Sequence, residues 1–303
     1  MKKITPEEIR QLSRYIYDVS GIALDQSKAY LFETRLGPLV EAHGLADYAE
    51  LCRKARTGPG KQLENEIVDA ISTNETLFFR DNGPFELLRN KILPDLIDAR
   101  SARASKILPV SLRIWSAACS TGQEVYSVAI VLKELLQQDL NRYRIKLLGT
   151  DISDAAIAQA SRGTYGKFEI ERGLPRDKLV KYFRPAGAGW KIKDDLRAMA
   201  TFRKLNLMLP FGALGKFDIV FCRNVAIYFT PQDRKKLFER LAGVLAPDGY
   251  LIIGATESLT GVCPRFTPRR HLRSIYYQLN TAPKNELRKS IAHRTGRRVS
   301  LTA

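Results

Sequence analysis

Four short stretches of this 303-residue chain carry residue types that could do chemistry. Residues 112–124 read LRIWSAACSTGQE: an apolar strand, a turn of small residues, then the start of a helix. In open α/β sheets ligands bind beyond the carboxyl ends of the strands, at the point where strand order reverses. Small residues there let a ligand approach the backbone. The turn has neither G-x-G-x-x-G nor G-x-x-x-x-G-K-[ST], so a pyrophosphate cradle is not supported. A nucleoside ligand without phosphates stays open, and S-adenosylmethionine is the common one. Glu124 is read in two ways, as a favourable partner of the helix dipole or as a carboxylate facing the ammonium and sulfonium charges of such a ligand.

Residues 147–153, LLGTDIS, place an acid at the end of a second strand. In nucleoside-binding α/β folds an acid at that position binds the ribose hydroxyls. Asp151 could instead cap the next helix, a role that Ser153 can also fill. Residues 217–229, FDIVFCRNVAIYF, end a buried strand in Arg223-Asn224, with Tyr228 close behind. Core packing accounts for Ile227 and Phe229 but poorly for Arg223 and Asn224. Residues 72–81, STNETLFFRD, put aromatics beside Arg80. They are read either as a packed hinge or as a lid over a cofactor.

The elements that must position these groups fall into two textures. Residues 1–72 read as four short helices. Thr5-Pro6-Glu7-Glu8 has a capping residue, a proline at the first helical position and a glutamate three residues after the cap. Ile9, Leu12, Ile16 and Val19 follow at helical spacing up to Gly21, and three more apolar stripes follow, the second of them ending at Gly58-Pro59-Gly60. Beyond about residue 105, strands alternate with helices: strands 112–118, 145–150, 217–222, 250–255 and 274–279, helices 125–136, 154–161 and 232–245, with 246–249 as a turn. Such alternation predicts a mostly parallel, doubly wound α/β sheet. Residues 163–205 are too long for a plain connection and read as a small inserted antiparallel sheet. The expected organisation is 1–72 helical, 73–85 linker and lid, 86–280 catalytic, and 281–303 a basic, disordered tail.

Composition excludes several classes. No apolar run approaches the roughly 18 residues that a membrane span needs, and the start lacks the apolar stretch of a secretory signal. Four separated cysteines without C-x-x-C suggest free thiols rather than a disulfide framework or zinc site, and three histidines disfavour histidine-driven catalysis. The net charge of +17 sits in the second half, since residues 1–72 carry 10 basic and 11 acidic side chains and residues 165–205 carry 11 and 5. That half is suited to an acidic partner.

In order, N-x-T-x-F-F-R, W-S-A-A-x-S-x-G-x-E-x-Y-S, the Asp of G-T-D-I and F-C-R-N-V-x-I-Y-F resemble the chemotaxis receptor methyltransferases, the CheR family, over about residues 5–280. The resemblance implies a Rossmann-like S-adenosylmethionine-dependent methyltransferase sheet, an all-helical N-terminal domain for receptor recognition and the inserted β-subdomain. It implies methyl transfer to glutamate side chains of receptor signalling helices, with S-adenosylhomocysteine as product and no metal. Cofactor contacts carry over to Asn74, Thr76, Arg80, Glu124, Asp151, Asn206, Leu207, Arg223 and Asn224, and roles at the reacting groups to Arg80 and Tyr228. Gln123 and Val125 depart from the family's usual acid and proline. The insert looks a few residues shorter than in members that dock a receptor's C-terminal pentapeptide, which implies independence of that tether. The basic insert, or Arg10, Arg14, Lys28 and Arg35 on the first helices, would steer the acidic receptor helices. A cytoplasmic monomer without membrane insertion is expected. The rivals are a nucleic-acid methyltransferase, disfavoured by the lack of N/D-P-P-Y and Pro-Cys motifs, and a non-catalytic scaffold.

Overall fold

The computed structural model describes residues 3–58, 60–101 and 109–280. Pro59 of the 58–60 break and the tail 281–303 lie outside the described residues. The helical region comprises α1 (Pro6–Ser20), α2 (Ala29–Ala42), α3 (Tyr48–Thr57) and α4 (Gln62–Ile71). The capping box read from Thr5 and Glu8 is present, and Gly21 ends α1 in the left-handed conformation at φ +78°. Glu8 does more than cap. Its other oxygen accepts the Tyr48 N–H at 3.0 Å, tying α1 to the start of α3. Leu12, Ile16, Phe32, Leu36, Leu51 and Ile67 fill a core of their own.

Next come α5 (Gly83–Leu87) and α6 (Leu93–Ser101), then β1 (Val110–Ala117), α7 (Gln123–Leu136), β2 (Tyr143–Asp151) and α8 (Asp154–Arg162). The insert follows with β3 (Thr164–Tyr165), α9 (Lys167–Glu171), α10 (Arg176–Tyr182), β4 (Phe183–Ala186), β5 (Gly189–Ile192) and α11 (Asp194–Arg197). The chain ends with β6 (Ala200–Lys204), β7 (Phe217–Cys222), α12 (Pro231–Val244), β8 (Leu245–Ile253), β9 (Phe266–His271) and β10 (Ser274–Leu279).

The main sheet has seven strands in the order β6-β2-β1-β7-β8-β10-β9. β6 through β8 run parallel, and β10 joins antiparallel to both β8 and β9. Strand order reverses between β1 and β7, which makes that boundary the switch point. Alternate residues feed two cores. Leu112, Ile114, Ile219, Phe221 and Ile252 face one side, and Trp115, Ala117, Val220, Cys222 and Leu251 face the other. Helices thus cover both faces of the sheet, as the near-continuous apolar strands require.

Three readings are corrected. The small sheet holds only β3, β5 and β4, whereas residues 200–204 of the expected insert form β6, which pairs parallel with β2 at the edge of the main sheet. Phe202 draws it there: a Cβ on Gly149 of β2 would lie 2.7 Å from the Phe202 ring, so glycine makes the seat. The turn at 246–249 is absorbed into β8, because the pairing slips from Phe217 opposite Leu245 to Ile219 opposite Tyr250. β9 completes an antiparallel hairpin that the Pro- and Arg-rich 266–271 segment concealed, since proline is tolerated on an edge strand.

Candidate active site

The switch point opens into a cavity of about 890 Å³, its open mouth included. Ala118, Cys119 and Ser120 line it beyond β1, Asp151 at the end of β2, and Arg223 and Asn224 beyond β7. All of the residues implied by the resemblance line this one cavity: Asn74, Thr76, Arg80, Glu124, Asp151, Asn206, Leu207, Arg223, Asn224 and Tyr228.

The turn after β1 is tight. Ala118 and Ser120 both take positive φ, at +64° and +50°, which costs a residue with a Cβ about 1 kcal/mol or more. Hydrogen bonds hold it there. The Ser120 N–H donates to Asp151 at 2.8 Å, and the Ser120 hydroxyl donates to the Asn74 carbonyl at 3.0 Å. Asp151 therefore braces the turn as well as facing the cavity. Its second oxygen accepts the Ser153 N–H at 3.0 Å, and Ser153 itself caps α8. Only 7% of Asp151 is exposed. Burial raises its pKa above the ordinary aspartate value, against the pull of those backbone donors.

Glu124 lies in the first turn of α7, as both readings of it require. It accepts the Ser116 hydroxyl at 2.7 Å and pairs with Arg223 at 2.9 Å. Arg223 also reaches Asp81 at 2.7 Å and the Arg80 carbonyl at 2.9 Å. The 79–82 segment needs such a clamp, because Phe79, Asp81 and Asn82 all have positive φ. Phe78 is fully buried edge-on against Tyr165 and Phe183 of the insert, while Arg80 lines the cavity.

Sequence reasoning missed the roof. Ser20 and Ile22, at the exit of α1, line the cavity too. Asn206 donates to the Val19 carbonyl at 2.8 Å, and the Tyr228 carbonyl accepts the Ala23 N–H at 2.9 Å. No local signal links residues some 200 positions apart. One partial hint was available in Gly21, where a Cβ would meet Met208 at 2.4 Å. Arg35 also departs from the steering reading: its guanidinium donates to the Ile71 and Ser72 carbonyls, so it fastens α2 to the exit of α4.

The donor set suits a positively charged nucleoside. Two carboxylates, buried Asp151 at the end of β2 and partly buried Glu124 in the first turn of α7, face the cavity and can accept from ribose hydroxyls and from an ammonium group. The wall lacks a glycine-rich phosphate cradle. Among the described residues no cluster of three or more His, Cys, Asp or Glu could hold a metal ion, and no helix is long and apolar enough to cross a membrane.

Comparison with known proteins agrees with this geometry. Residues 7–72 match the CheR methyltransferase all-alpha domain, and residues 74–272 match the CheR methyltransferase SAM binding domain. A chemotaxis protein methyltransferase of Vibrio parahaemolyticus is 40% identical over 278 residues, covering 91% of this chain and 98% of its own length. The chemotaxis protein methyltransferase Cher2 of Pseudomonas putida is 38% identical over 274 residues, covering 89% and 97%. One from Borreliella burgdorferi is 37% identical over 265 residues, covering 85% and 90%. With both family domains matched in order and relatives up to 40% identical over most of its length, the chain belongs to the CheR family of S-adenosylmethionine-dependent chemotaxis protein methyltransferases.

Proposed function

We propose that this protein methylates glutamate side chains on the signalling helices of chemoreceptors, in the cytoplasm, for sensory adaptation. The observation that carries this reading is the meeting of Arg80 and Tyr228 with buried Asp151 and partly buried Glu124 in one cavity roofed by the exit of α1. Asp151 would take the ribose hydroxyls and Glu124 the ammonium end of the cofactor, with Asn74, Thr76, Asn206, Leu207 and Asn224 completing the wall. Bound S-adenosylmethionine supplies a methyl group on a positively charged sulfur, and the products are a glutamate methyl ester and S-adenosylhomocysteine.

The residues present match what such a transfer demands. A solvated glutamate, with a pKa near 4.3, is already ionised at neutral pH, so no general base is needed. Charge is neutralised as the reaction proceeds, so alignment and exclusion of water carry the rate enhancement. The Tyr228 hydroxyl donates a hydrogen bond that orients the acceptor carboxylate. Arg80, whose Nη1 is held by the Glu75 carbonyl at 2.8 Å, presents its remaining N–H groups to a carboxylate.

A nucleic-acid reading gains little from the site. Cys119, which lines the cavity, and Cys222 at the end of β7 are both buried, and burial pushes both thiol pKa values well up, which is the opposite of an activated nucleophile. The deciding experiment is transfer of label from radiolabelled S-adenosylmethionine to a receptor cytoplasmic fragment, counting methanol released by base. Base-labile label on the fragment supports the proposal. Label on RNA and none on the fragment would overturn it.

A further inference from the structure

Glu257 lies in none of the stretches singled out from the sequence. It follows Gly254, in the loop that leaves β8. One of its oxygens, Oε2, accepts two backbone N–H groups, those of Gly254 and Asn224, each at 2.8 Å. β7 and β8 are neighbours, with Cys222 opposite Ile253. A single carboxylate oxygen therefore ties two adjacent strands together just beyond their last pair. The other oxygen, Oε1, is buried and has no hydrogen-bond partner in the protein.

The bond matters because of what it holds. Asn224 sits in the left-handed region at φ +57°, which residues with a Cβ enter uncommonly and asparagine more readily than most. That conformation turns the chain away from β7 and into the short helical turn Ala226–Tyr228. Asn224 and Tyr228 both line the cavity, at the start and end of this turn. Glycine makes the arrangement possible: a Cβ on Gly254 would lie 2.5 Å from Oε2 and 2.9 Å from the Asn224 side-chain nitrogen. Charge-assisted bonds from a carboxylate to backbone N–H groups are about twice as strong as neutral ones, so this one anchor is suited to hold a strained turn.

We infer that Glu257 is a positioning residue of the methyl-transfer site, whose carboxylate holds the Asn224 turn and, through it, the placement of Tyr228. The inference rests on the assignment of Asn224 to the cofactor and Tyr228 to the acceptor. Glu257→Gln tests it with shape preserved. The amide oxygen can take both N–H bonds, and its NH2 falls where Oε1 has no partner to lose.

The experiment is titration of the full-length protein with S-adenosylhomocysteine by calorimetry, together with receptor-fragment turnover and thermal melting. Glu257→Ala is expected to weaken binding about tenfold, equivalent to ~1.4 kcal/mol, and to lower kcat, with Glu257→Gln restoring most of both. Gly254→Ala keeps the carboxylate but forces it out of place, and is expected to behave like Glu257→Ala. Wild-type affinity and kcat in folded Glu257→Ala and Gly254→Ala would overturn the inference. So would a fall in melting temperature alone, since a brace unrelated to the site would produce that. If the wild type bound S-adenosylhomocysteine but methylated no receptor fragment, the glutamate reading would fail while the binding series still judged Glu257.

Discussion

Arg223 and Glu124 meet at 2.9 Å in the wall of the switch-point cavity, and the Arg223 side chain is only 2% exposed. The same guanidinium holds Asp81 and the Arg80 carbonyl. One residue at the end of β7 thus fastens the first turn of α7 and the strained segment carrying Arg80. The family resemblance implies that Arg223 touches the cofactor, and the structure gives it this clamping task besides. Arg223→Met would leave the partly buried Glu124 carboxylate with the Ser116 hydroxyl in place of its cation, a loss of about 1–3 kcal/mol. Calorimetry is expected to show a melting temperature lower by several degrees and no measurable S-adenosylhomocysteine binding. Wild-type melting would contradict the clamp.

Tyr228→Phe removes one hydroxyl and little volume. Turnover on a receptor fragment is expected to fall about 10- to 100-fold, or ~1.4–2.7 kcal/mol of barrier. The affinity for S-adenosylhomocysteine should stay within about threefold of wild type, because the ring still packs. Steady-state kinetics beside calorimetry separates the two effects. Unchanged turnover would remove Tyr228 from the mechanism.

The pH dependence of cofactor binding follows from Asp151. Its pKa in the free protein is raised by burial, and hydroxyl donors favour the ionised form. Affinity is therefore full above that raised pKa and declines as the pH falls through it. The decline is expected to begin at a higher pH than an ordinary aspartate would give. Asp151→Asn should bind more weakly and lose this acid limb, which calorimetric titrations across the acid range would detect. An identical limb in Asp151→Asn would assign it elsewhere.

The insert's sheet is small, with β3 spanning two residues and β4 and β5 four each. A receptor C-terminal pentapeptide is expected to bind the purified protein no more tightly than millimolar, and its removal from a receptor should leave methylation unchanged. Micromolar binding in a fluorescence anisotropy titration would reverse this reading.

Much of the site was legible because it sits where strands end. The runs at 112–118, 145–150 and 217–222 are apolar enough to be buried in a doubly wound sheet, and polar residues directly after such strands stand at the switch point whatever the loops do. Asp151, Arg223 and Asn224 stand at such strand ends and line the cavity, whereas Glu124 was assigned to the cofactor only through the family resemblance. The capping box of α1 was equally local, since Thr5 and Glu8 need only each other. The insert's extent was not legible: β6 pairs with β2, and the Phe202 ring is seated against Gly149, 53 positions earlier, where a Cβ would clash with it.

What the amino-acid order determined by itself was the set of elements and the groups at their ends, because hydrophobic period, caps and turn residues act within a few positions. Only the tertiary structure decided that the exit of α1 roofs the cavity through Asn206 and Tyr228, that Arg223 is shared by Glu124 and Asp81, and that Glu257 holds Asn224. Each joins residues far apart in the chain, and a hydrogen bond of that kind leaves no periodicity behind. It exists only once packing has removed water from both partners and brought them within 3 Å.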